Sequence, residues 1–214
     1  MNVKKVSGFI GKYLKSARRR RKALYVAGLA VVLLAGGWYW YDQSQRAYVP
    51  PDFFEARNRA GEVSVRILQL TDASVQTLRL ISAADEKGNY KRGLDLVLEE
   101  VDRNEATRAE AIKLSEELKN MALNLGAVQP EKAAQVGLQA TTSGLELVQH
   151  LINYNNYAQE LLAVLQTRLK NNGSPETRQR IEQIILKMNE EAEAINNLNE
   201  RYQEEAREFD RLVK

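Results

Sequence analysis

The only histidine of the chain, His150, stands among side chains able to hold a proton or a small molecule. Glu146 lies one helical turn before it, and Asn153, Tyr154, Asn156 and Tyr157 follow. An imidazole and a carboxylate four residues apart share one helix face, which is part of a metal site. The rest is missing, because a di-iron bundle needs a carboxylate-rich interior and Glu-x-x-His pairs on two helices. With no cysteine in the sequence, thiolate metal sites, a cysteine nucleophile, a lipoprotein thioether and a disulfide framework are excluded together. His150, Tyr154 and Tyr157 are therefore read as a polar layer or as the lining of a small-molecule pocket between helices. No Gly-rich phosphate loop, nucleophile elbow or zinc motif occurs. Neither an enzyme nor a cofactor is expected.

Two further patterns have plain readings. The glutamate pairs Glu99-Glu100, Glu116-Glu117, Glu190-Glu191 and Glu204-Glu205 mostly alternate with Lys and Arg, as solvated helix faces do, and lack EF-hand spacing. Ala133, Gly137, Ala140 and Gly144 make a small-residue stripe over which another helix can pass closely. That helix is either a bundle neighbour or a partner. Asn172-Gly173-Ser174 matches a glycosylation acceptor, disfavoured by Pro175 directly after it.

The elements that must position these groups are helices, since apolar residues recur at three- and four-residue steps and no alternating strand pattern competes. The first runs from an Asp52/Glu55 capping box to about Lys87. Gly88-Asn89 turns the chain into a second, from Tyr90 to Leu125, whose apolar stripe is interrupted at Asn104 and Thr107. Gly126 stops it. The third opens at Pro130 and ends near Lys170; after Asn172-Gly173, Ser174 and Pro175 open the fourth. There Ile181, Met188, Ile195, Tyr202 and Phe209 fall seven apart, a coiled-coil-like seam. Short connections between long helices favour antiparallel neighbours. The expected fold is all-α, an up-down four-helix bundle over residues 52–214. Its free tip would carry Asn89, Tyr90 and Asn172.

Ahead of this bundle, the nineteen residues 23–41 carry no charge. As a helix they would span roughly 28 Å, close to the hydrocarbon thickness of a bilayer. Arg18, Arg19, Arg20, Arg21 and Lys22 abut one end, and Trp38, Tyr39, Trp40 and Tyr41 close the other. The positive-inside rule sets residues 1–22 in the cytoplasm and everything beyond a linker at 42–51 on the far side, periplasmic or extracellular. Ala35-Gly36-Gly37 offers a cleavage site, but the long basic segment and the apolar run onward to Tyr41 favour a retained anchor. Val3, Val6, Ile10, Tyr13 (or Leu14) and Ala17 recur at three- and four-residue steps, so the tail is read either as an amphipathic helix on anionic lipid or as a disordered basic segment.

Net charge sharpens this division. Residues 1–22 hold nine basic and no acidic side chains, so the overall +3 becomes −6 for the remainder. A phosphate backbone would be repelled there, which argues against nucleic acid. The expected function is a membrane-anchored, non-enzymatic scaffold whose partner is another protein or a second copy of the chain. In architecture the arrangement resembles the periplasmic four-helix sensory modules of bacterial chemoreceptors, which implies ligand sensing as the alternative. Those modules are flanked by two membrane helices and carry a cytoplasmic signalling region, whereas one span and a short tail are read here.

Overall fold

The computed structural model describes residues 48–171 and 175–214, with Asn171 by its backbone only. Arg18 to Lys22, Trp38 to Tyr41 and Asn172 lie outside the described residues. Among those described, no helix is long and apolar enough to cross a membrane. Four helices form a bundle: α1 (Pro51–Glu86), α2 (Tyr90–Asn124), α3 (Glu131–Asn171) and α4 (Pro175–Leu212), with a short 3-10 turn at Leu125–Ala127.

The ends of the helices depart in detail from the expectations. The Asp52/Glu55 capping box does not form. Pro50 is extended (ψ 140°) with Pro51 in the first turn behind it, so the cap falls two residues before Asp52 and the Pro50 carbonyl accepts from Phe53 N at 3.1 Å. Glu55 is left to pair with Arg59 on the surface. Gly88 turns the chain as anticipated, with φ +69°, and the Asn89 side chain caps α2 by accepting from Arg92 N at 3.3 Å. Gly126, by contrast, is no left-handed stop. The helix tightens into the 3-10 turn, and Val128 leaves it extended. Pro130 then precedes α3 rather than opening it, its carbonyl accepting from Ala133 N at 2.8 Å. The described end of the segment expected as linker also docks: Tyr48 O accepts from Gln129 N at 2.9 Å, Val49 packs on the core and Pro50 is buried.

Pairings between helices show every neighbour to be antiparallel. Along α1 and α2, Arg59 meets Glu117 while Arg66 meets Glu110. Along α3 and α4, Ser143 meets Glu205, His150 meets Glu191 and Glu160 meets Arg180. The start of α1, the α2–α3 turn and the end of α4 thus share one end of the bundle, the entry end. The Gly88 turn marks the far end.

The core changes character between these ends. In the entry half one apolar cluster draws on all four helices, including Phe53, Ile67, Leu118, Leu147, Ile195 and Phe209. Phe53 and Phe209 stack with centroids 5.1 Å apart. Small residues allow this closeness: a Cβ on Gly137 would stand 2.6 Å from Leu125 and 3.1 Å from Phe209, and one on Gly144 would meet Leu118 and Tyr202. The small-residue stripe is therefore filled by α2 and α4 of the same bundle.

Toward the far end the core splits. Ile81, Leu96, Val97, Leu162 and Leu169 join α1, α2 and α3. Leu161, Ile184 and Met188 join α3 to α4. Arg168 of α3 reaches across to Asp85 of α1 at 2.9 Å, and Gly93 of α2 lies beneath Leu169 and Ala84. Three helices close on one another there, and α4 rides on α3.

Candidate functional site

A cavity of about 50 Å³ lies where the core divides, with walls from all four helices. Its wall on α2 is the stretch where Asn104 and Thr107 break the apolar stripe. Asn104 Nδ2 donates to the Asn155 carbonyl at 3.0 Å, Asn155 Nδ2 donates to Leu151 O at 3.0 Å, and the Thr107 hydroxyl donates to Arg103 O. These side chains are satisfied by backbone, as buried polar groups must be.

Glu100 supplies the charge of the lining. It is 3 % exposed, ion-paired with Arg103 and hydrogen-bonded by Ser74 of α1. Desolvation pushes its carboxyl above the ordinary carboxylate value, and Ser74 and Arg103 counter that only in part. Arg103 approaches from outside the lining and is shared with Glu99 and with the Thr77 hydroxyl, both at 2.7 Å. Tyr154 completes the site. Burial, with the Glu100 charge adding to it, lifts its phenol to about 12. It stays protonated at neutral pH and is no base there.

The three residues singled out around His150 are separated. Tyr154 alone lines the cavity. His150 turns to α4, where Nδ1 lies 2.6 Å from Glu191 Oε2. The Glu191 partner replaces the expected neighbour Glu146. Tyr157 also faces α4, with Lys187 Nζ 5.3 Å from its ring centroid. At the far tip Asn89 serves as the helix cap and Tyr90 is exposed.

The reading of the glutamate pairs as solvated needs correction. The second member of each is drawn inward: Glu100 to Arg103, Glu117 to Arg59, Glu191 to His150 and Glu205 to Ser143. Among the described residues no three His, Asp or Glu side chains gather as a metal-binding group.

One seam of the bundle is polar. Arg57 of α1, 7 % exposed, holds Asp210 of α4 with two hydrogen bonds of 2.7 and 2.9 Å. Stepping back from Asp210 by sevens along α4 come Gln203, Asn196 and Asn189; stepping forward from Arg57 along α1 come Ser64 and Thr71. The two hydroxyls donate to their own helix, at Ala60 O and Ile67 O. Buried carboxamide atoms of Asn189, Asn196, Asn199 and Gln203 are left without a protein partner.

Compared with known proteins, the chain matches no family model, no curated protein and no solved structure.

Proposed function

We propose that this chain is a membrane-anchored scaffold that presents the far end of its bundle to another protein. In this reading residues 23–41 cross the bilayer, Arg18 to Lys22 sit at the cytoplasmic leaflet on anionic lipid, and Trp38 to Tyr41 sit at the opposite interface. One observation carries the proposal. Tyr48 bridges to Gln129 at the α2–α3 turn, and Val213 packs in the same core cluster as Phe53. Both ends of the described chain therefore leave the bundle at its entry end. An anchor preceding Tyr48 would hold that end at the bilayer and project the Gly88 turn away from it, by roughly 50 Å for helices of this length.

The native absence of cysteine makes the test clean. Single substitutions Ser7→Cys, Leu138→Cys and Tyr90→Cys are placed in the full-length protein in its own membrane. Intact cells are then treated with a membrane-impermeant maleimide that carries a photo-crosslinker. Tyr90→Cys should be labelled and give a specific protein adduct. Leu138→Cys, exposed in the entry half, should be labelled without that adduct, and Ser7→Cys should stay unlabelled. Labelling of Ser7→Cys in intact cells overturns the topology. Adducts that are absent at Tyr90→Cys, or the same at Leu138→Cys, overturn the scaffold.

A further inference from the structure

We infer that the central cavity binds a small organic cation, a primary alkylammonium of roughly three to five non-hydrogen atoms, which enters between α1 and α4. Size sets the first limit. A buried water needs about 10–15 Å³ measured in this way, so 50 Å³ admits a short chain and excludes anything the size of a nucleobase or a sugar.

The lining sets the chemistry. Glu100 is the one charged side chain among the residues that form the cavity, and its own cation, Arg103, grips it from outside. A carboxylate has more acceptor positions than Arg103 and Ser74 use, and an ammonium group brings three donors. Below the cavity, one turn from the lining residue Ile195, lies Asn199. It is 5 % exposed, and its Oδ1 has no partner in the protein. The opposite wall, with Leu78, Leu161, Met188 and Ile195, is apolar and suits an alkyl chain. A carboxylate or phosphate would meet Glu100 and be repelled. A neutral alcohol would gain a weaker hydrogen bond than a charged donor. A bare metal ion would lack ligands, since no second carboxylate or imidazole lines the space.

Access follows from the polar seam. In the far half α4 shares its apolar contacts with α3. On the seam toward α1 it carries carboxamides with buried atoms that lack a protein partner, among them Asn189 Nδ2 and Asn196 Oδ1. Parting α1 from α4 there uncovers little apolar surface, so the barrier to entry is low.

The site does not depend on the scaffold role and is tested separately. Full-length protein in nanodiscs is titrated with n-propylammonium, n-propanol and propionate at equal ionic strength, followed by calorimetry and thermal melting. Propylammonium should bind saturably and raise the melting temperature, propanol should bind about tenfold more weakly or worse, and propionate should not bind. In Glu100→Gln the preference for the cation should vanish. In Ala158→Leu, which fills the cavity and leaves Glu100 and Arg103 in place, propylammonium binding should be lost. Ala158→Leu alone decides the matter if Glu100→Gln fails to fold. No saturable binding of propylammonium, equal binding of all three compounds, or binding untouched by Ala158→Leu overturns the site.

Discussion

The entry half and the far half of this bundle are built from the same four helices with different bonding. In the entry half four apolar stripes meet in one cluster, helped by glycines that let Leu125, Phe209, Leu118 and Tyr202 approach α3. In the far half the apolar contacts divide, and α4 is tied through α3. Between them lies a polar layer with Glu100, Asn104 and Asn155. The lesson is physical. A bundle can keep long helices aligned while concentrating cooperativity at one end. The other end and the junction are left free to open locally at low cost.

The largest expected effect tests that division directly. Phe209→Ala removes a ring stacked on Phe53 in the joint core, and should cost about 3–5 kcal/mol of global stability in urea. Ile184→Ala, in the cluster that joins only α3 and α4, should shift the urea midpoint by less than half as much. Its main effect should be faster amide exchange over residues 175–190. Equal midpoint shifts with the same exchange pattern in both variants would show that the core is not divided.

Next in size is the bolt at the entry end of the α1–α4 seam. Asp210→Ala takes two charge-assisted hydrogen bonds from the guanidinium of Arg57, a buried charge that also lies over the Phe209 ring at 5.9 Å. The loss should be about 3 kcal/mol, with much of it recovered when Arg57→Met is added. A loss under about 1 kcal/mol, the range of a surface pair, would mean that nothing distinguishes this end of the seam.

Much of this architecture was legible in the sequence, because helix periodicity and turn chemistry are local. Gly88 adopts the left-handed conformation its place required. Of the seven-residue series on α4, Met188, Ile195, Tyr202 and Phe209 are buried as expected, and Ile181 partly so. The division of the core was not legible. Apolar residues recur on every helix in both halves, and only the relative placement of helices decides which stripes meet. The inward turn of Glu100 was hidden for the same reason, since its partner Ser74 comes from another helix. The break at Asn104 and Thr107 was the available signal, and it marks one wall of the cavity.

The smallest effect is read as a slope with pH. Burial raises Glu100, so the folded state holds that proton more tightly than the unfolded chain does. Stability from this group is greatest when the carboxyl is protonated in both states. It falls as pH rises from the ordinary carboxylate value through the raised one, then stays level. Glu110, on the α1–α2 face, goes the other way. Burial pushes it up, but hydrogen bonds from Lys113 and Arg66 outweigh that and hold it low. Its contribution is present above the ordinary value and is lost as pH falls through the lowered one. Urea unfolding at intervals from about pH 3 to pH 7 should therefore separate the two variants. The stability of Glu100→Gln relative to the wild type should rise with pH above the ordinary carboxylate value, whereas that of Glu110→Gln should fall with pH below it. Parallel slopes would place the two carboxylates in equivalent surroundings, and the polar junction between the halves would lose its distinguishing charge.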